Sequence, residues 1–470
     1  MTYELVKATP ALIRAHEGAY APISMGEAAP CPDRAYQKLN IGMIQVTNGE
    51  FIAYSTPDSA FFVTKNLIEK AERSILIGIY DFTAKHMRDL LIAAVQKGVS
   101  VTLMLDCNFS NLPGTVSPEK SLFEELRNKG VRCVRAPSCQ GGTNRYFKVA
   151  HEKVIVIDDI WTLVQSGNYT NHSIPFNQSD GINSPGFKTG NRDMGVAIKS
   201  PDVAEFFSRI INADIQLELG EEDEVTDSAL VATSLPPLFT PAVEAVEFQL
   251  FHSQSFPIPG SVPVLPVLTP DNYMDVVPAL IASAKRSIII EQQYIRDFNQ
   301  SWNGSIKRLV MSIKGALEEN SDLDVRIIVA PPYDSTNEND RTQLRNELNA
   351  LAGVGLLEGR NIRLLNKAQL THCHNKLIIV DEEKVLISSQ NWSEPAVTIN
   401  REAGVIITQP DIAGYFAKIF NEDWKNAYQA LDDAPDTELF MLADPSPENV
   451  QEVLASGNFA PVEWGDHADI

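Results

Sequence analysis

Short apolar runs alternate with amphipathic stretches between residues 50 and 430, and the alternation occurs twice. Phe62 to Glu72 and Tyr273 to Lys285 have helical spacing. Each leads into an apolar run, Ser74 to Tyr80 or Ser287 to Tyr294, whose length and isoleucine content suit a strand. A second helix (Thr83 to Lys97; Ser305 to Asn320) and a second strand (Val99 to Leu105; Val325 to Ala330) follow. A further strand is predicted over Val154 to Ile157 and Leu377 to Val380. The last element is an amphipathic helix, Ala204 to Ala213 or Ala413 to Tyr428, with Phe206, Phe207, Phe416, Phe420 and Trp424 as core contacts. Helices alternating with buried-type strands predict an α/β fold of two duplicated α/β/α sandwich lobes.

The duplication is legible residue by residue. Thr56-Pro57-Asp58 recurs as Thr269-Pro270-Asp271, and Ala71-Glu-Arg-Ser-Ile75 as Ala284-Lys-Arg-Ser-Ile288, both at an offset of 213. His151-Glu-Lys-Val-Ile-Val-Ile-Asp158 matches His374-Asn-Lys-Leu-Ile-Ile-Val-Asp381 at an offset of 223. Asn191-Arg-Asp-Met-Gly-Val196 matches Asn400-Arg-Glu-Ala-Gly-Val405 at 209. The first copy therefore carries an insertion of 14 residues between Tyr169 and Asn191. The composition of Ile174 to Gly190 is that of a loop. The predicted organisation is an N-terminal extension over 1–50, lobe 1 over 51–215, an acidic and proline-rich linker over 216–263, lobe 2 over 264–430 and an acidic C-terminal segment over 431–470. The two extensions are read as capping or lid segments.

Composition adds bounds. With 470 residues and 44% apolar content, the chain is long enough for two cores. No stretch reads as a secretory leader or a membrane span, which predicts a soluble, cytoplasmic protein. Cys31, Cys107, Cys133, Cys139 and Cys373 are odd in number and irregularly spaced, so unpaired thiols are expected rather than disulfides or a zinc cluster. The net charge is −22, and ten acidic residues fall in Leu431 to Ile470, leaving −12 on the remainder. A protein that holds duplex DNA by its phosphates usually gathers a positive face, so duplex nucleic acid is disfavoured as a partner.

The chemistry concentrates in the duplicated His-x-Lys-x-x-x-x-Asp motif. Period-two alternation puts His151 and Lys153 on one strand face, and likewise His374 and Lys376. Imidazole is a competent nucleophile toward phosphorus and a competent acid toward a leaving alkoxide, while lysine neutralises non-bridging oxygens. Two copies can divide these roles with no metal or cofactor. A histidine in such work needs its other ring nitrogen held by an acceptor. Asp193 is the candidate for His151 and Glu402 for His374. Ser166, Asn168, Ser389 and Asn391, alternating just after each motif, are candidate ligands of phosphate oxygens. His372 and His172 are read as surface or pocket-edge histidines, and Arg145, Tyr146 and Lys148 as a substrate rim or charged loop.

These residues carry a resemblance to the phospholipase D superfamily, over roughly residues 50 to 430. In place of the glycine that opens the family's Gly-Ser-x-Asn block stand Gln165 and Ser388. The resemblance implies two lobes related by a pseudo-twofold axis, one active site between them, and catalysis through a phosphohistidine. It makes His151 the nucleophile and His374 the acid and base, with Asp158 and Asp381 completing the catalytic motifs in supporting roles. It implies a phosphodiesterase that hydrolyses or transfers the phosphatidyl group of phospholipids, with a metal-independent nuclease and a non-catalytic binding protein as alternatives. Ile290-Glu-Gln-Gln-Tyr294 resembles a segment of phospholipase D proper and, with the acidic charge, leans the reading toward lipid. The expected partner is a phospholipid or another phosphodiester, met in transient contact with a membrane surface through Ile174-Pro175-Phe176 and Phe251 to Pro259. No oligomer is needed to complete the site.

Overall fold

The computed structural model describes residues 5–7, 31–106, 118–175, 190–220, 238–241, 250–332 and 338–435, with short pieces at 440–442, 449–450, 452–453 and 459–461. Cys107, Phe176, most of the predicted insertion and the acidic run Glu221 to Glu224 lie outside the described residues. The N-terminal β1 (Leu5–Lys7) joins a small four-stranded sheet, and β2 (Ile44–Thr47) precedes the first lobe.

Lobe 1 runs β3 (Glu50–Thr56), α1 (Ala60–Glu69), β4 (Ser74–Ile79), α2 (Lys85–Gln96), β5 (Ser100–Leu105), α3 (Pro118–Asn128), β6 (Arg132–Arg135), β7 (Lys153–Ile157), β8 (Trp161–Gln165), β9 (Asp193–Lys199) and α4 (Pro201–Leu219). After β10 (Leu238–Pro241) in the small sheet and β11 (Gln254–Pro257), lobe 2 repeats the order. It runs β12 (Ser261–Thr269), α5 (Tyr273–Ala282), β13 (Ser287–Gln292), α6 (Gly304–Glu319), β14 (Asp324–Val329), α7 (Glu338–Ala352), β15 (Ile362–Leu364), β16 (Lys376–Val380), β17 (Lys384–Ser388), α8 (Glu394–Thr398), β18 (Glu402–Thr408) and α9 (Pro410–Asn426). The small sheet is completed by β19 (Phe440–Leu442) and β20 (Phe459–Pro461).

Each lobe holds an eight-stranded mixed sheet in matching order, β11-β3-β9-β8-β7-β4-β5-β6 and β2-β12-β18-β17-β16-β13-β14-β15. The edge strands are exchanged. β2 precedes lobe 1 in sequence but pairs with β12 of lobe 2, and β11, from the predicted linker, pairs with β3 of lobe 1. Pairing uses backbone groups, so a polar or proline-bearing segment fills an edge that hydropathy alone does not reveal.

The outer face of the first sheet packs under α1 to α3 and that of the second under α5 to α8. The inner faces share one core with the long helices α4 and α9, through Val154, Ile210, Ile289, Ile379 and Phe416. Both long helices start three residues earlier than the apolar spacing predicts, because Pro201 and Pro410 supply the preset φ of a first helical turn and Ser200 and Gln409 accept from Val203 and Ile412 amides. α4 also extends past Ala213 to Leu219. Its last turns bury Asp214 and Glu218, polar residues that hide the helical stripe.

Cys31 and Cys139 form a disulfide with Cα atoms 6.0 Å apart, which corrects the expectation of unpaired thiols. The partners are 108 residues apart, and only tertiary folding brings them together. Cys133 and Cys373 are free. The segments expected to touch a membrane are otherwise engaged: Ile174, Phe251 and Phe256 are buried in the cores. Among the described residues no helix is long and apolar enough to cross a membrane.

Candidate active site

Both motif histidines lie just ahead of a central strand, β7 or β16, beside the carboxyl end of the parallel pair β4–β5 or β13–β14, the edge where α/β sheets place ligands. The segment leading into each strand leaves its own sheet and pairs with the other lobe. His151 donates its amide to the Arg401 carbonyl at 2.7 Å, and Arg401 returns one to Val149 at 2.8 Å. The mirror arrangement joins His374 to Arg192 at 3.1 Å and Arg192 to His372 at 2.8 Å. These short parallel bridges draw both histidines to one seam.

The bridges also decide which carboxylate meets which ring. Glu402 Oε2 is 2.7 Å from His151 Nδ1, and Asp193 Oδ1 is 2.8 Å from His374 Nδ1. The same-copy pairing expected from sequence is therefore corrected to a crossed one, because β9 and β18 each begin where the opposite lobe's histidine segment crosses over. All four side chains are at most 2% exposed, so the charges interact with little screening by water. Burial works to raise the Asp193 carboxyl, but the adjacent His374, Lys376 and the Ser166 hydroxyl outweigh it and hold it below the usual carboxylate range. With Nδ1 committed to a carboxylate, Nε2 is the nitrogen left to each imidazole for chemistry.

Lys153 and Lys376 each donate to the carbonyl of their own histidine at 2.7 Å. Lys376 Nζ also lies 3.1 Å from His374 Nε2, so the alternation that puts both on one strand face does bring them together. Lys153 sits 5.3 Å from the Tyr80 ring centroid, and the same ring meets His151 edge-on. The repeat places Gln293 where lobe 1 has Tyr80, with its Oε1 3.5 Å from Lys376 Nζ.

The hydroxyls expected to bind phosphate oxygens lie against the carboxylates. Ser166 donates to Asp193 at 2.8 Å and Ser389 to Glu402 at 2.5 Å, while each hydroxyl also accepts an amide, from Met194 and Ala403. Asn168 and Asn391 are buried beside them, and Asn391 Oδ1 has no hydrogen-bond partner among the described residues. Gly167 is required here, since a Cβ would lie 2.9 Å from the Asp193 carboxyl carbon.

Asp158 and Asp381 stand outside the site, at the far end of β7 and β16, about 20 Å of extended chain from the histidines. Both take left-handed backbone, φ 55° and 58°, in the turns to β8 and β17, a conformation aspartate tolerates. Asp158 accepts the amides of Glu72, Arg73 and Ser74, and Asp381 those of Lys285, Arg286 and Ser287. For both carboxyls partial burial works upward, but the three amides win and hold them below the usual range. The fourth motif residue thus fixes the helix-to-strand junction that aims the strand. His172 and His372, read as surface or edge residues, are each 3% exposed. Arg145 is held by Asp33 of the N-terminal segment at 2.6 Å.

Sequence reading missed a pair of buried ion clusters that clamp the seam. Arg192 of lobe 1 bonds Asp423 on α9 at 2.7 Å and its own lobe's Asp58 at 2.7 Å. Arg401 of lobe 2 bonds Asp214 on α4 at 2.7 Å and Asp271 at 2.8 Å. Asp58 and Asp271 were visible as a repeated Thr-Pro-Asp, a repetition that could have flagged them. Beneath each cluster lies a further buried carboxyl, Glu152 or Glu291, each pushed up to about 8, first by burial and then by the nearby Asp214 or Asp423.

Two imidazoles, each with Nδ1 anchored by a carboxylate and a lysine alongside, bring to one seam the kinds of group that attack, protonate and neutralise a phosphodiester. The family model described as cardiolipin synthase, PLD-like domain, matches residues 64–215 and 277–424, more than half of the chain. Mitochondrial cardiolipin hydrolase of the mouse (Mus musculus) is 29% identical over 72 residues, 15% of this chain and 33% of that protein. The chain thus spans about a third of the length of that curated relative. Phosphatidylserine synthase of Haemophilus influenzae Rd KW20 superposes with a TM-score of 0.58 at 17% identity, covering 89% of this chain and 94% of that one, a likeness of fold. The matched residues, the two sheets of equivalent order and the paired motifs make the chain a member of the phospholipase D superfamily, in the family of cardiolipin synthase PLD-like domains, with two copies of the domain on one polypeptide.

Proposed function

We propose that the protein is a phosphodiesterase that hydrolyses or transfers the phosphatidyl group of phospholipids through a covalent phosphohistidine. The observation that carries the reading is the crossed pair of dyads, His151–Glu402 and His374–Asp193, each with its lysine. His151 Nε2 attacks phosphorus while the bond to the leaving alcohol breaks, and His374 gives that alcohol its proton. His374 then takes a proton from water or a second alcohol, whose oxygen attacks phosphorus and frees His151. Lys153, Lys376, Asn168 and Asn391 bind the non-bridging oxygens, where charge grows in the transition state. The Cys31–Cys139 bond favours an oxidising compartment over the cytoplasm expected from sequence.

Wild type, His151→Ala and His374→Ala are to be assayed in EDTA on phosphatidylcholine, phosphatidylglycerol and single-stranded DNA, with and without a primary alcohol. Wild type is expected to release headgroup and form a phosphatidyl alcohol, and both variants to lose activity. Cleavage of DNA alone, or activity that survives both substitutions, refutes the proposal.

A further inference from the structure

Beside the seam, lobe 2 carries a groove of about 800 Å³ that the chemistry above does not use. Its walls continue the loops of the candidate site. Ser393 follows Asn391 by two residues, Arg296 follows Gln293 by three, and the Arg296 amide bonds the Trp392 carbonyl at 3.0 Å. The third wall is the start of α7.

The lining has one guanidinium against three carboxylates, Asp297, Glu347 and Glu394. Arg296 is already engaged, bonded to Glu347 at 3.2 Å and stacked 3.9 Å above the Tyr294 ring. The groove is therefore negative, a poor host for a phosphate and a good one for a cation. Trp302, 67% exposed, is part of its lining, and an indole face is the surface that binds ammonium groups best. Ser393 lines the groove, is 2% exposed, and its hydroxyl has no hydrogen-bond partner among the described residues. A buried hydroxyl without a partner is costly unless something supplies one.

We propose that this groove binds an amino alcohol, with the ammonium against Trp302 and the carboxylates and the oxygen at Ser393. That it serves as the headgroup leaving or entering the neighbouring site rests on the function proposed above; the binding itself does not.

Calorimetric titration of the full chain with choline, tetramethylammonium and glycerol tests it. Choline is expected to bind saturably, tetramethylammonium more weakly and glycerol not at all. Trp302→Ala, at an exposed position, is expected to weaken choline about tenfold, with Trp302→Phe restoring most of it. Ser393→Ala is expected to erase the preference for choline over tetramethylammonium, and His374→Ala to bind choline as wild type does. A flat choline titration, glycerol binding as well as choline, or an unchanged Trp302→Ala variant overturns the groove. Choline binding without any phosphatidyl turnover leaves the groove standing and removes the function; turnover with a flat titration does the reverse.

Discussion

Each histidine in the seam is served by the other lobe, and this sets what single substitutions do. Glu402→Gln and Asp193→Asn keep the shape of the dyads but remove the charge that supports an imidazolium. A loss in kcat of about 10²- to 10⁴-fold is expected from each. The crossed pairing separates their kinetics. With His151 as nucleophile, Glu402→Gln should form little phosphoenzyme under rapid quench, whereas Asp193→Asn should let it accumulate as its breakdown slows. The opposite pattern would assign the nucleophile to His374. Glu152 titrates instead as a stability group. Its folded-state value of about 8 stands above the ordinary 4.5, so between those limits the folded chain holds a proton that the unfolded chain releases. Its contribution is complete below the lower limit and lost as pH rises through the upper one. Glu152→Gln, permanently neutral, should flatten that decline, read by urea unfolding at both ends of the window; an unchanged slope would place the effect elsewhere.

Among the elements, β7 and β16 do the positioning, and their two ends have separate work. The leading end carries histidine and lysine, and the trailing end is pinned by Asp158 or Asp381 to the junction before β4 or β13. Asp158→Ala leaves three amides without their acceptor. A cost of about 1–3 kcal/mol in unfolding free energy is expected, with kcat per folded molecule unchanged. A large fall in kcat at full stability would return this residue to the chemistry. Helices α1, α2 and α4 and strands β4, β5 and β7, with their counterparts in lobe 2, were legible from helical spacing or from short apolar runs. Strands β3, β9, β12 and β18 were not, since strands covered on both sides or at an exchanged edge leave no alternation to read.

In the whole molecule, the two lobes are held together by exchange: edge strands β2 and β11, the arginine clusters, and the bridges at the histidines. The N-terminal segment adds a strap. The disulfide ties it to lobe 1, while Tyr36 bonds Asp271 at 3.1 Å and Arg401 at 2.9 Å in lobe 2. Alkylation of the denatured chain without reductant should label two fewer cysteines than after reduction. Replacing Cys31 and Cys139 by serine should cost about 2–5 kcal/mol, measured by denaturant unfolding. Equal labelling before and after reduction would show that the bond does not form.

The sequence by itself determined the duplicated α/β architecture and the candidate reacting groups, because periodicity, repeat register and the residue types of a histidine–lysine motif are local properties. It could name Asp193 and Glu402, but not their partners. Only the tertiary structure decided that each crosses to the other lobe, that Ser166 and Ser389 serve those carboxylates, that Asp158 and Asp381 sit at turns, and that Cys31 meets Cys139. These are contacts between residues far apart in the chain, set by how two sheets pack and exchange edges, and nothing in the spacing of residues along one strand encodes them.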